Sequence, residues 1–134
     1  MTRKSGPPRV TIDQTQLEPL ERLAQGALGR NPDLADRLLD ELSRARILPP
    51  GKMPADVICL GNRATFRDET TGKEQSVVLV LPEQADIDTG KVSVLTPIGV
   101  ALIGLQAGAR FSWETRGGET RELTVVRVEA VEPD

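Results

Sequence analysis

The chain has 134 residues, 38% hydrophobic, 2% aromatic, with a formal net charge of −3 and no histidine, which is room for one compact domain or a domain with an appendage. The missing histidine excludes zinc sites, Ser-His-Asp triads and Cys-His catalysis, and a lone Cys59 excludes an internal disulfide and fits a reducing cytoplasm. Mixed charge of low net value is no nucleic-acid footprint, and no stretch reaches the roughly 18 apolar residues of a membrane span.

Residues 1–9 carry Arg3, Lys4 and Arg9 without an apolar run, which reads as a loose basic tail and not a signal peptide. Residues 9–12 form a short extended lead-in. Thr15-Gln16-Leu17-Glu18 then has the form of a capping box, with Pro19 tolerated in the first turn. Leu17, Leu20, Ala24 and Leu28 fall on one helical face with Leu23 beside them, and Gly26 and Gly29 end this helix. Asn31-Pro32 opens a second, a cap followed by a first-turn proline. Leu34, Leu38, Leu42 and Ala45 line its apolar face, with Leu39 alongside. Asp33–Arg37 and Asp40–Arg44 are spaced for i, i+4 ion pairs. Asp33 and Asp36 near the start, and Arg44 and Arg46 near the end, match the helix dipole. Pro49-Pro50-Gly51 stops the second helix. The expectation is an antiparallel helical hairpin over residues 13–48.

Past Pro54 the period changes to that of strands. Val57-Ile58-Cys59-Leu60 and Ala64-Thr65-Phe66-Arg67 are separated by Gly61-Asn62, and residues 68–73 make a turn. Residues 76–81 are the most continuous β-branched run and predict a central strand buried on both faces. Pro82 stops it, and Glu83 to Gly90 is an acidic connection. Val92-Ser93-Val94 then reads as a strand ending at Leu95.

The stretch from Thr96 to Gly108 organises the rest of this half. Thr96-Pro97 supplies an N-cap and a first-turn proline. Ile98, Val100, Ala101, Leu102, Ile103 and Leu105 make a short helix apolar on almost every side, which in a chain of this composition must be buried. Gly104 and Gly108 close it. Residues 110–115 and 121–131 are the last strands, turning at Gly117-Gly118. The fold class is therefore α+β: a helical hairpin attached to an antiparallel sheet curled around one helix. Charge divides at the junction, with nine basic and seven acidic residues in 1–54 against eight and thirteen in 55–134. Cys59 reads as a small core residue.

Periodicity gives no function, but the residues carry a resemblance. Leu60-Gly61-Asn62, Thr71-Gly72-Lys73-Glu74, Leu81-Pro82-Glu83-Gln84-Ala85-Asp86, Val92 to Gly99, Ala101-Leu102-Ile103-Gly104 and Ala107-Gly108 stand in the order of the C-terminal domain of bacterial Gre transcript cleavage factors. That domain is a sheet wrapped on a helix, as in FK506-binding proteins, so an FKBP-like fold is implied. The N-terminal part, including residues 42–46 and the 52–57 junction, resembles the Rnk family, nominally regulators of nucleoside diphosphate kinase. The implied organisation is a basic tail and short hairpin arm in residues 1–54, joined to a Gre-type domain in 55–134. The implied role is that of a cytoplasmic, monomeric, non-enzymatic transcription regulator without cofactor or metal. It binds RNA polymerase near the secondary channel and competes with Gre-type factors, reaching DNA only through polymerase, with no sequence-specific nucleic acid and no membrane as partners.

The chain departs from the Gre pattern at Ala109, where Gre factors have aspartate, and at Leu95, usually polar there. An exposed Leu95 beside the Thr96-Pro97 cap makes the corner Leu95, Thr96, Pro97 the candidate partner-binding site. Asp33 and Asp36 mark the arm tip, where Gre factors carry acidic groups that help hold a catalytic magnesium ion. The alternative function is thus an accessory transcript cleavage factor using those acids. A second helix of about sixteen residues spans only about 24 Å, much shorter than a Gre arm. Peptidyl-prolyl isomerase activity has fold kinship alone behind it. Glu83 and Asp86 read as solvated loop residues.

Overall fold

The structure, a computed structural model, describes residues 10–114 and 117–131. In chain order the elements are β1 (Thr11–Asp13), α1 (Gln14–Ala27), α2 (Pro32–Arg44), β2 (Arg46–Leu48), β3 (Asn62–Asp68), β4 (Glu74–Val80), β5 (Lys91–Ser93), α3 (Pro97–Leu102), β6 (Arg110–Glu114) and β7 (Thr120–Ala130). Single 3-10 turns at Pro82–Gln84 and Ile87–Thr89 lie between β4 and β5. No helix among the described residues is long and apolar enough to cross a membrane.

The first helix starts earlier than its sequence predicts. Asp13, not Thr15, is the N-cap: its Oδ1 accepts from Thr15 N at 2.8 Å and from Thr15 Oγ1 at 2.7 Å. A carboxylate two residues before the threonine takes the free N–H first, and Pro19 consequently lies inside the helix. Gly26 is helical too, and Leu28, past the helix end, is exposed. The second helix begins at Pro32 as expected but stops at Arg44. Residues 46–48 leave the helix to pair in parallel with β1, Ile12 opposite Ile47. Leu48 precedes Pro49, which disfavours helical backbone there, and β-branched Ile12 and Ile47 favour a strand. Of the expected ion pairs, Asp40–Arg44 forms at 3.3 Å. Asp33–Arg37 is not among those between described residues.

The main sheet has the order β5-β4-β3-β7-β6. It is mixed, which corrects the antiparallel expectation: β4 and β5 run parallel, Val78 opposite Lys91 and Val80 opposite Ser93. The connection through residues 81–90 is too long for a hairpin and carries the chain back to the level of Val78 before β5 begins, as parallel pairing requires. β3, not β4, takes the central position, and only the second half of β4 (Val78, Leu79, Val80) is buried. Residues 57–60, expected as a strand, form only an isolated bridge between Val57 and Gln106. Their hydrogen bonds go instead to the exit of α3 and to α1. Ile58 N donates to Leu105 O at 2.9 Å, Gly104 N to Ile58 O at 2.9 Å, and Leu60 N to Gln16 Oε1 at 3.0 Å.

α3 is buried as its sequence requires: Val100 and Ala101 are 2% exposed, Leu102 0% and Ile103 1%. It ends at Leu102, three residues before the last apolar position of its run. Two glycines are obligatory here. A Cβ on Gly99 would lie 2.5 Å from the carbonyl oxygen of Val94, and one on Gly104, with φ of 81°, would lie 2.3 Å from Val10 Cγ1. Val10 is thereby threaded over the end of α3, and Thr11 N donates to Gly104 O at 3.0 Å.

The hydrophobic core is continuous across both halves. Leu20 and Ala24 of α1 and Leu38 and Leu42 of α2 belong to the same buried cluster as Ile58, Phe66, Leu79, Val94, Leu102 and Leu105.

Candidate functional site

The corner between β5 and α3 is built from short hydroxyl bonds. Ser93 Oγ accepts from Leu95 N at 3.0 Å, and Thr96 Oγ1 donates to Ser93 O at 2.8 Å while accepting from Gly99 N at 3.1 Å. Thr96 is thus the N-cap, with Pro97 in the first turn, as its sequence predicts. Leu95 departs from expectation. It is half-buried and packs against the core cluster, leaving only part of its side chain to a partner.

The connection between α1 and α2 is fixed by Arg30 N and Asn31 N, which both donate to Ala27 O, at 3.0 and 2.8 Å. This turn comes to rest beside the corner, leaving a shallow cleft of about 290 Å³ lined by Ala27, Arg30, Asn31, Pro82, Ser93 and Leu95. The tip predicted for the arm and the corner predicted for partner binding are therefore neighbours, though more than 60 residues separate Asn31 from Leu95 in the chain. Asp33 and Asp36 are exposed on the first turns of α2 and do not line the cleft. Among the described residues no group of three or more acidic or cysteine side chains could hold a metal ion. Glu83 and Asp86 are exposed, the Asp86 side chain accepting from Asp88 N at 3.1 Å.

Sequence reasoning missed several residues here. Ile87, between Asp86 and Asp88 and outside the cleft lining, is 86% exposed; its signal is a lone β-branched residue in an acidic loop. Ala27, Arg30 and Asn31 carry no local signal, because a tertiary contact alone brings them to the corner. Away from the cleft, burial raises the pKa of Glu41 above its ordinary range despite Arg44, whose Nη2 lies 2.8 Å away. Burial, with Asp13 adding to it, also raises the pKa of the half-buried Cys59 thiol.

Comparison with known proteins supplies the class. Residues 53–130 match the family described as "Transcription elongation factor, GreA/GreB, C-term", so the sheet with its buried α3 is a Gre-type C-terminal domain. Residues 8–48 match "Rnk N-terminus". A protein of Escherichia coli (strain K12) named "Regulator of nucleoside diphosphate kinase" is 32% identical over 122 residues, covering 91% of this chain and 90% of that relative. The chain belongs to the Rnk family.

"Transcription elongation factor GreA" of Beijerinckia indica is 34% identical, with 71% of this chain and 60% of that protein covered. Among solved structures, "Prokaryotic transcription elongation factor GreA/GreB from Nitrosomonas europaea" superposes with a TM-score of 0.71 at 32% identity, covering 91% of this chain and 98% of that one.

Proposed function

We propose that this chain is a non-catalytic regulator of transcription that binds RNA polymerase near its secondary channel and competes there with Gre-type factors. The observation that carries the reading is the Gre-type domain over residues 53–130 presented with a short helix pair whose tip lines a cleft together with that domain's corner. Affinity comes from the corner Leu95, Thr96 and Pro97. The helix pair, read as a short antiparallel hairpin on an FKBP-like sheet, shapes the surface around it. At about 1.5 Å per residue, the 13 residues of α2 extend about 20 Å, and that length lies against the body of the protein. Asp33 and Asp36 are therefore not held out on a projecting arm, which argues against a cleavage factor that must deliver carboxylates to a distant metal ion.

In this reading residues 1–54 and 55–134 are two inherited modules that fold as one unit. The protein acts as a cytoplasmic monomer and meets DNA only through polymerase. The name of its Escherichia coli relative extends the reading to the level of nucleoside diphosphate kinase, as a consequence of the transcriptional role. The test is a pull-down of the full chain with core RNA polymerase, alone and with increasing Gre factor, alongside an RNA cleavage assay on backtracked elongation complexes. Binding that the Gre factor displaces, without stimulated cleavage, is the expected result. Stimulated cleavage that is lost on replacing Asp33 and Asp36 with alanine would turn the assignment to an accessory cleavage factor.

A further inference from the structure

The cleft between the helix tip and the corner has one charged side chain in its lining, Arg30. Ala27, Pro82 and the half-buried Leu95 supply the apolar part of its lining, beside the polar Asn31 and Ser93. Arg30 stands exposed in its lining and has no ion-pair partner among the described residues. An exposed guanidinium beside the apolar Leu95 and Pro82 is complementary to a carboxylate that stands next to an apolar side chain.

We propose that this cleft is a composite docking site that receives an apolar side chain with a carboxylate beside it from the polymerase segment the protein binds. The proposal rests on the polymerase reading above and deepens it: the partner reads both modules together, and Arg30 is the specificity-determining residue. A carboxylate meeting Arg30 in a partly desolvated cleft gains a forked, charge-assisted bond, while Leu95 and Pro82 take the apolar neighbour. The corner alone would offer only the apolar half of this contact.

The test is a titration of the fluorescently labelled full chain against core RNA polymerase, using wild type, Arg30→Glu, Arg30→Lys and Arg22→Glu. Arg22 is exposed on α1 and lies 3.5 Å from Glu18, so its reversal makes the same change in net charge away from the cleft. The expected result is a loss of about tenfold or more for Arg30→Glu. Arg22→Glu should stay within about twofold of wild type, and Arg30→Lys should fall between, because it keeps the charge without the fork. Thermal midpoints should be equal, since Arg30 is exposed. Wild-type binding that Arg30→Glu leaves unchanged, or weakens no more than Arg22→Glu does, would overturn the composite cleft while leaving the polymerase reading intact. Absence of wild-type binding would overturn both. A concentration-dependent dimer in sedimentation velocity, abolished by Arg30→Glu, would put a second copy in the cleft and equally overturn the proposal.

Discussion

The main sheet and the helix pair both feed one core, but they are held in different ways. The sheet is closed by ladders between chain-adjacent strands, β3 with β4 and β6 with β7, and by the longer β3–β7 pairing. The helix pair joins the rest through side chains, Leu20 and Ala24 on α1 and Leu38 and Leu42 on α2. A few polar clasps add to them, such as Leu60 N to Gln16 Oε1 and Thr11 N to Gly104 O. In the ladders, backbone hydrogen bonds supply the pairing and the buried face supplies the register. A helix pair docked by leucines stays only while its partner surface exists. The helix pair is thus integral to the fold, yet it is the part whose position depends on few residues.

Mutations can break that comparison in graded steps. The largest effect belongs to Leu102→Asp, which puts an unpaired charge where α1, α2 and the sheet all converge. The variant should not fold, seen as loss of near-ultraviolet and far-ultraviolet dichroism together, and a soluble, cooperatively melting product would contradict the shared core. Leu38→Ala comes next, at about 2–5 kcal/mol for a fully buried leucine. If the helix pair were a separate arm, this loss would leave the melting of the sheet untouched; here urea denaturation should report it at both regions.

Leu95 is a sharper probe than its sequence suggested. Because it is half-buried, Leu95→Asp conflates folding with binding, and Leu95→Ala is the cleaner variant. It should cost no more than about 2 kcal/mol of stability, below a full core truncation, and still weaken polymerase binding.

The smallest effect concerns Glu41. Its carboxyl is raised by burial, so the folded chain holds that proton more tightly than the unfolded chain does. Its contribution is neutral below the ordinary carboxylate range. It becomes unfavourable as pH rises from that range to the folded value, and stays so above. Glu41→Gln should flatten the stability profile over that window and leave the protein no less stable at neutral pH, within about 1 kcal/mol. Denaturation of both proteins at several pH values checks this, and a steeper profile for Glu41→Gln would contradict it.

The same contrast explains what was legible in the sequence. Local rules found the apolar α3, its Thr96-Pro97 cap, the Asn31-Pro32 start of α2 and the strands on either side of Thr71-Gly72-Lys73. Each of these is dictated by neighbours within a few positions. Local rules failed where a distant partner decides. Residues 57–60 have strand composition but spend their hydrogen bonds on Leu105, Gly104 and Gln16. Residues 46–48 look like the end of a helix but pair with residues 11–13. The parallel seat of β5 and the partial burial of Leu95 against the core are likewise tertiary facts. The corner was readable as chemistry, and the cleft was not, because half of it arrives from residues 27–31.

The central claim is that the helix pair and the sheet form one cooperative unit around a shared core. It is tested most directly by equilibrium urea denaturation of the full chain followed with two probes. Far-ultraviolet dichroism at 222 nm, a standard helix wavelength, is dominated by α1 and α2, and fluorescence reports on Trp113 in β6, the only tryptophan of the chain. One coincident transition, with the same midpoint and slope for both probes, is the expected result. Loss of the helical signal at lower urea, ahead of the Trp113 transition, would show an arm that melts by itself and would contradict the account.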